Sequence, residues 1–181
     1  MNLPNMLTFS RILMVPIMVV LFCWPDDSMR LWSAAVFGIA AITDWFDGYL
    51  ARRWNQATAL GAFLDPVADK IIVSVALILL AGHFAQLWIT LMVIIIIVRE
   101  IVISALREWM ASLGKRAEVA VSQLGKIKTT SQMIAIIVLL GAADDSWLNI
   151  AGDIALVIAT GLTFWSMLVY LKAAWPELRN S

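Results

Sequence analysis

Apolar residues run through this chain in six long stretches, each closed by a short polar break. The first covers about residues 1–24, and the others about 31–53, 60–81, 87–112, 123–142 and 149–172. Pro4 suits a helix start, with Asn5 a candidate cap. The breaks are PDDSMR at 25–30, GHFAQ at 82–86, the polar connection LGKRAEVAVSQLGKIK at 113–128 and AADDSW at 143–148. Stretches of this length and hydropathy read as bilayer-spanning helices. The pattern predicts an all-α polytopic membrane protein of six transmembrane helices, with a short N-terminal interfacial segment.

Composition strengthens that picture. Of 181 residues, 62% are hydrophobic and 14% charged, against about 25% charged in soluble domains. Mean hydropathy is +0.88. Residues 1–181 read as a single transmembrane domain with no room for a separate soluble one. Cys23 is alone, which excludes an intramolecular disulfide and a cysteine-based metal site. The first apolar run lacks a basic leader and a small-residue cleavage site, so it reads as a retained span. The net charge is zero, and nothing signals nucleic-acid binding.

The placement of charge orients the spans. With the N-terminus in the cytoplasm, the outer turns are 25–30, 82–86 and 143–148. They hold one basic residue, Arg30, and four acids, Asp26, Asp27, Asp144 and Asp145. The other 12 of the 13 Lys and Arg then fall on the cytoplasmic side, as basic loops do. Trp24, Trp32, Trp54, Trp88 and Trp147 lie near span ends, as an aromatic belt would. His83, the only histidine, reads as a loop residue, and Asp153 as an outer-end polar residue.

One stretch breaks the apolar pattern at membrane depth: DWFDGYLARRWNQATALGAFLDPVAD, residues 44–69. Charge there is costly and tends to be functional. Asp44 and Asp47 are spaced i,i+3, Asp65 and Asp69 i,i+4, so each pair shares a helix face. In an antiparallel hairpin turning near Trp54 to Thr58, Asp44 falls level with Asp69 and Asp47 with Asp65. The four carboxylates then meet roughly 9–13 Å below the turn. A divalent cation would offset their repulsion, and all-oxygen ligation points to Mg²⁺ or Mn²⁺. Gly48 and Gly61 suggest close packing or close approach of a ligand. Arg52, two turns past Asp44, is placed to meet a phosphate.

Other polar residues fall in the same cytoplasmic half. Asn5, Thr8 and Arg11 share one side of the first span. That side reads either as interfacial, with Arg11 snorkelling to headgroups, or as the lining of a substrate site. Lys70 reads as a neutraliser of the acids, a phosphate contact or half of an ion pair. Arg99 and Glu100 read as a helix-holding network or as part of the site, and Arg107 as an anion ligand near the surface. Lys126 and Lys128 enter the fifth span beside Thr129, Thr130 and Gln132. Together these residues predict a polar cavity open to the cytosol. A divalent-cation transporter is the alternative from another class, against which stand the acids' confinement to one half and the unexplained basic residues.

Asp44-x-x-Asp47-Gly48-x-x-Ala51-Arg52, eight residues, Gly61-x-x-x-Asp65-x-x-x-Asp69 resembles the signature of the CDP-alcohol phosphatidyltransferases, with every fixed position present. PNMLTFSR, VREIVISALREWM and the GKIKTT run extend the likeness over nearly the whole chain. The resemblance implies six spans and a homodimer in a bacterial inner membrane, with the site facing the cytoplasm. It implies CDP-diacylglycerol as phosphatidyl donor and two Mg²⁺ or Mn²⁺ ions on Asp44, Asp47 and Asp65. Asp69 would complete the cluster and act as general base. Gly48, Ala51, Arg52 and Gly61 would line the CDP-diacylglycerol site, with Asn5 and Thr8 beside them. The cations Arg99, Arg107, Lys126 and Lys128 favour a phosphate-bearing acceptor, glycerol 3-phosphate, over serine. Inositol phosphate and phosphatidylglycerol stay open as acceptors.

Overall fold

The computed structural model describes residues 3–53, 59–114, 123–144 and 146–180, with side chains described for 6–44, 46, 60, 61, 63–114, 128–144, 146–175 and 179. Its regular structure is helical: α1 (Leu3–Phe22), α2 (Ser28–Arg53), α3 (Ala59–Phe84), α4 (Leu87–Ser112), α5 (Gln123–Gly141) and α6 (Trp147–Asn180). α1 runs continuously from Leu3 with Pro16 inside it, so no separate interfacial segment precedes it among the described residues. α2 starts within the expected first turn, where the Ser28 N–H donates to Asp26 Oδ1 at 3.0 Å. α3 continues through His83, leaving only Ala85 and Gln86 before α4. α4 stops at a glycine, Gly114, with φ of 74° and its N–H bonded to Ala111 O, a left-handed cap that residues with a Cβ adopt reluctantly.

α1 packs on α2 and α3, α2 on α5, α5 on α6, α6 on α4, and α4 on α3. The helices thus close a ring in the order α1–α2–α5–α6–α4–α3, with α3–α5 and α2–α3 contacts inside it. Met18, Phe37, Leu77, Ile96, Ile136 and Leu156 fill the shared core and are fully buried. A smaller cluster of Ile103, Leu106, Met110 and Ala174 joins α4 to α6. The outer faces are also apolar: Leu91, Ile94, Ile101, Ile154, Val157 and Trp165 are exposed. The apolar stretches Leu87–Ser112 and Trp147–Trp175 are long enough to cross a bilayer, and most of each faces outward. A helix that is apolar all round fits lipid better than water.

Gly152 and Gly141 leave no room for a side chain against their neighbouring helices. A Cβ on Gly152 of α6 would lie 2.7 Å from Leu139 Cδ2 and 2.8 Å from Leu139 Cγ, and one on Gly141 would lie 3.0 Å from Ala34 Cβ. Leu139 is fully buried and has nowhere to retreat. At the same end, Arg30 Nη1 donates to Asp144 Oδ1 at 2.8 Å and Nη2 to Leu139 O at 3.3 Å. His83 Nε2 lies 3.0 Å from the same Asp144 oxygen. His83, expected in a loop, sits instead in the last turn of α3. Arg30 lies 5.6 Å from the centroid of the Phe22 ring. This end of the bundle is therefore tied across α1, α2, α3 and the α5–α6 turn.

Gly152→Leu is expected to cost about 1–3 kcal/mol through overpacking against Leu139, read as a lower unfolding temperature in detergent. The hydrogen bonds from Arg30 and then His83 hold the Asp144 carboxyl below the usual carboxylate range. Its contribution is therefore present above that range and lost as pH falls through the lowered value. Asp144→Asn is expected to lower the unfolding temperature at neutral pH, with the gap to the parent protein closing at strongly acidic pH.

Candidate functional site

The site grows from the polar side of α1. Thr8 and Arg11 are one turn apart and both about 1% exposed, which places them at the junction of α1 with α2 and α3. A guanidinium buried there requires anionic partners. Arg11 Nη1 bonds to Asp44 Oδ1 on α2, and Nη2 lies 3.5 Å from Asp65 Oδ1 on α3. Thr8 donates its hydroxyl to the same Asp65 oxygen at 2.5 Å. The two carboxylates keep 42% and 43% of their side-chain surface open. Arg11 thus holds them from the bundle side, while their outer side stays accessible. This overturns the snorkelling reading of Arg11 and leaves the site-lining one.

Asp69 lies one turn beyond Asp65. It borders a narrow gap with Arg11, Asp44 and Phe37, and a larger cavity of about 60 Å³ between α3, α4 and α5. The larger cavity is lined on its polar side by Asp69, Lys70, Ser74, Glu100, Thr129 and Gln132. Behind Glu100 stand two buried cations. Arg99 Nη1 donates to Glu100 Oε1 at 2.5 Å, and Lys128 Nζ donates to the same oxygen at 2.7 Å. Arg99 Nη2 donates to Ser166 Oγ at 2.9 Å, which fastens α4 to α6.

The structure therefore brings Asp44, Asp65 and Asp69 to one region with Thr8, and Arg99 to Lys128 across one carboxylate. Gly61 is buried in the first turn of α3. Arg107 is exposed and lies roughly 12 Å along α4 from Arg99 at 1.5 Å per residue. Asp47, Gly48, Ala51 and Arg52 continue α2, Asn5 lies in α1 and Lys126 in α5, but their side chains fall outside the described residues. Among the described residues, no three acids or histidines gather as a metal-ion cage. Asp44 and Asp65 already converge on one cationic group, and hard carboxylate oxygens suit Mg²⁺ or Mn²⁺. The donor set fits a divalent ion on that ground.

The model of the CDP-alcohol phosphatidyltransferase family matches residues 1–165. The chain belongs to this family. Among its relatives, a CDP-diacylglycerol–glycerol-3-phosphate 3-phosphatidyltransferase of Sodalis glossinidius (strain morsitans) is 54% identical over 178 residues, 98% of this chain and 97% of that one. Proteins of the same name from Salmonella choleraesuis (strain SC-B67) and Escherichia coli (strain K12) are 53% and 51% identical over 177 residues, with the same shares covered.

As a CDP-alcohol phosphatidyltransferase, the chain carries its signature acids on α2 and α3, while Arg11, which secures two of them, comes from α1. The i,i+3 spacing of Thr8 and Arg11 signalled a shared face, but not that the face turns inward. Ser166 was absent from the expected site, and Glu100 was expected only beside Arg99, without its bond to Lys128. Arg11→Met is expected to lower the unfolding temperature without metal, by about 1–3 kcal/mol for the lost charged hydrogen bonds. Added Mn²⁺ should recover part of the loss by neutralising Asp44 and Asp65, read by thermal unfolding with and without the ion.

Proposed function

We propose that this chain is a metal-dependent transferase that moves the phosphatidyl group of CDP-diacylglycerol to the 1-hydroxyl of sn-glycerol 3-phosphate. The products are phosphatidylglycerol phosphate and CMP. The near-complete mutual coverage of relatives bearing that activity's name carries the reading. Further support comes from Asp69, which borders both the gap with Arg11 and Asp44 and the cavity lined by Lys70 and Glu100.

In this reading Asp44, Asp47 and Asp65, with Asp69 completing the set, hold two Mg²⁺ or Mn²⁺ ions. Bound there, the metal neutralises the diphosphate and makes CMP a better leaving group. Asn5, Thr8, Gly48, Ala51, Arg52 and Gly61 line the CDP-diacylglycerol side. Arg99, Arg107, Lys126 and Lys128 receive the acceptor's phosphate. Asp69 takes the proton from the glycerol 1-hydroxyl. That oxygen forms a bond to the phosphorus bearing diacylglycerol, and the bond from this phosphorus to CMP breaks. Orientation and charge stabilisation supply most of the rate.

All six helices span the bacterial inner membrane as a single domain, N-terminus inside, and the polar cavity opens to the cytoplasm. The charge asymmetry of the turns supports this orientation, as do the outward apolar faces. A homodimer is part of the same reading, by likeness to the family.

The test is CMP release from liposomes holding CDP-diacylglycerol and metal, with a panel of acceptors. Glycerol 3-phosphate is expected to be used, while serine, inositol and inositol phosphate are not. Asp69→Asn is expected to lower the rate by about 10²–10⁴-fold while CDP-diacylglycerol stays bound. Activity with serine alone would refute the acceptor, and metal uptake without CMP release would point to a transporter.

A further inference from the structure

Arg99 and Lys128 are 7% and 3% exposed, on α4 and α5. Both bond to one atom, Glu100 Oε1. Arg99 Nε has no hydrogen-bond partner among the described residues, although a buried N–H normally has one. Two buried cations thus share the oxygen of one carboxylate, where burial makes any loss of that partner expensive. Glu100 also lines the cavity that Asp69 lines, and Lys128 lies within electrostatic range of Asp69.

We propose that Glu100 is a positioning residue, a resident counter-anion that holds Arg99 and Lys128 ready and competes with the acceptor's phosphate for them. The inference rests on the acceptor-phosphate role given above to those two cations. A phosphate monoester brings a charge near −2 and three acceptor oxygens. It outbids a single carboxylate for two cations. While the cavity is empty, Glu100 keeps Lys128 from pairing with Asp69 and silencing it as a base. The same carboxylate weakens acceptor binding, because the phosphate must displace its bonds. Glu100 therefore lowers acceptor affinity and protects turnover.

That trade separates the role from a mere brace between helices. In Glu100→Gln, the KM for glycerol 3-phosphate is expected to fall about 3–10-fold and kcat about tenfold, the loss of one charged competitor and the capture of Asp69 by Lys128. Inorganic phosphate is the binding probe. It should compete with glycerol 3-phosphate in the parent protein, and its Ki should fall in the variant by the same factor as KM. A KM and Ki that stay level or rise would overturn the proposal. Glu100→Asp, which draws the charge back by one methylene, carries the same sign and serves if the glutamine variant does not fold. A parent protein that releases no CMP with glycerol 3-phosphate would sink the proposed function itself. Normal parent activity with no fall in KM for either variant would sink only the role of Glu100.

Discussion

Charge among apolar helices must be neutralised where it lies, and among the described residues each ion cluster joins two or more elements. Arg11 of α1 meets Asp44 of α2 and Asp65 of α3. Glu100 of α4 meets Lys128 of α5, and Arg99 reaches Ser166 of α6. Arg30 of α2 meets Asp144 beyond α5. Leaving one member unpaired in a low-dielectric interior costs several kcal/mol. Sliding or rotating any one helix would therefore break polar bonds as well as apolar packing. The apolar surface is nearly interchangeable with lipid and says little about register, so these pairs specify which faces meet.

The two ends of the bundle put this constraint to different uses. At the α5–α6 turn, Arg30 and His83 share one acid, Asp144, and Arg30 is braced by Phe22 and the Leu139 carbonyl. At the other end, Asp44 and Asp65 are held on one side only, and roughly two fifths of each side chain stays open. An acid shared by an arginine and a histidine braces its corner, whereas two acids on one arginine keep oxygens that can accept another charged group. The acids of the family signature lie at this second end.

Helix positions were legible because apolar run length and turn residues are local properties. The expected stretches and α1–α6 agree within a few residues, apart from α6, which continues past Lys172 to Asn180. The acid pairs were legible for the same reason, since i,i+3 and i,i+4 spacing marks a shared face on any helix. What the chain does not write down is adjacency in space. The ring order sets α2 beside α5 and α6 beside α4, and nothing in a linear pattern announces this. Arg11 therefore read equally well as facing headgroups or facing the site. Arg30 and His83 passed as turn residues, although they are joined through Asp144. Glu100 was visible as a neighbour of Arg99, but its grip on Lys128 needs α4 and α5 side by side.

The ring order also bears on how the protein comes into being. A chain emerges N-terminal part first. α1, α2 and α3 contact one another and can associate before α4, α5 and α6 have been made. That early trio contains Asp44, Asp65 and Asp69, while Arg99 and Lys128 belong to helices still to come. For that interval Arg11, bonded to Asp44 and Asp65, is one of the cations already on hand to keep those carboxylates in company, as Lys70 is for Asp69. Its first service is to the nascent protein, before any lipid substrate can meet a finished enzyme.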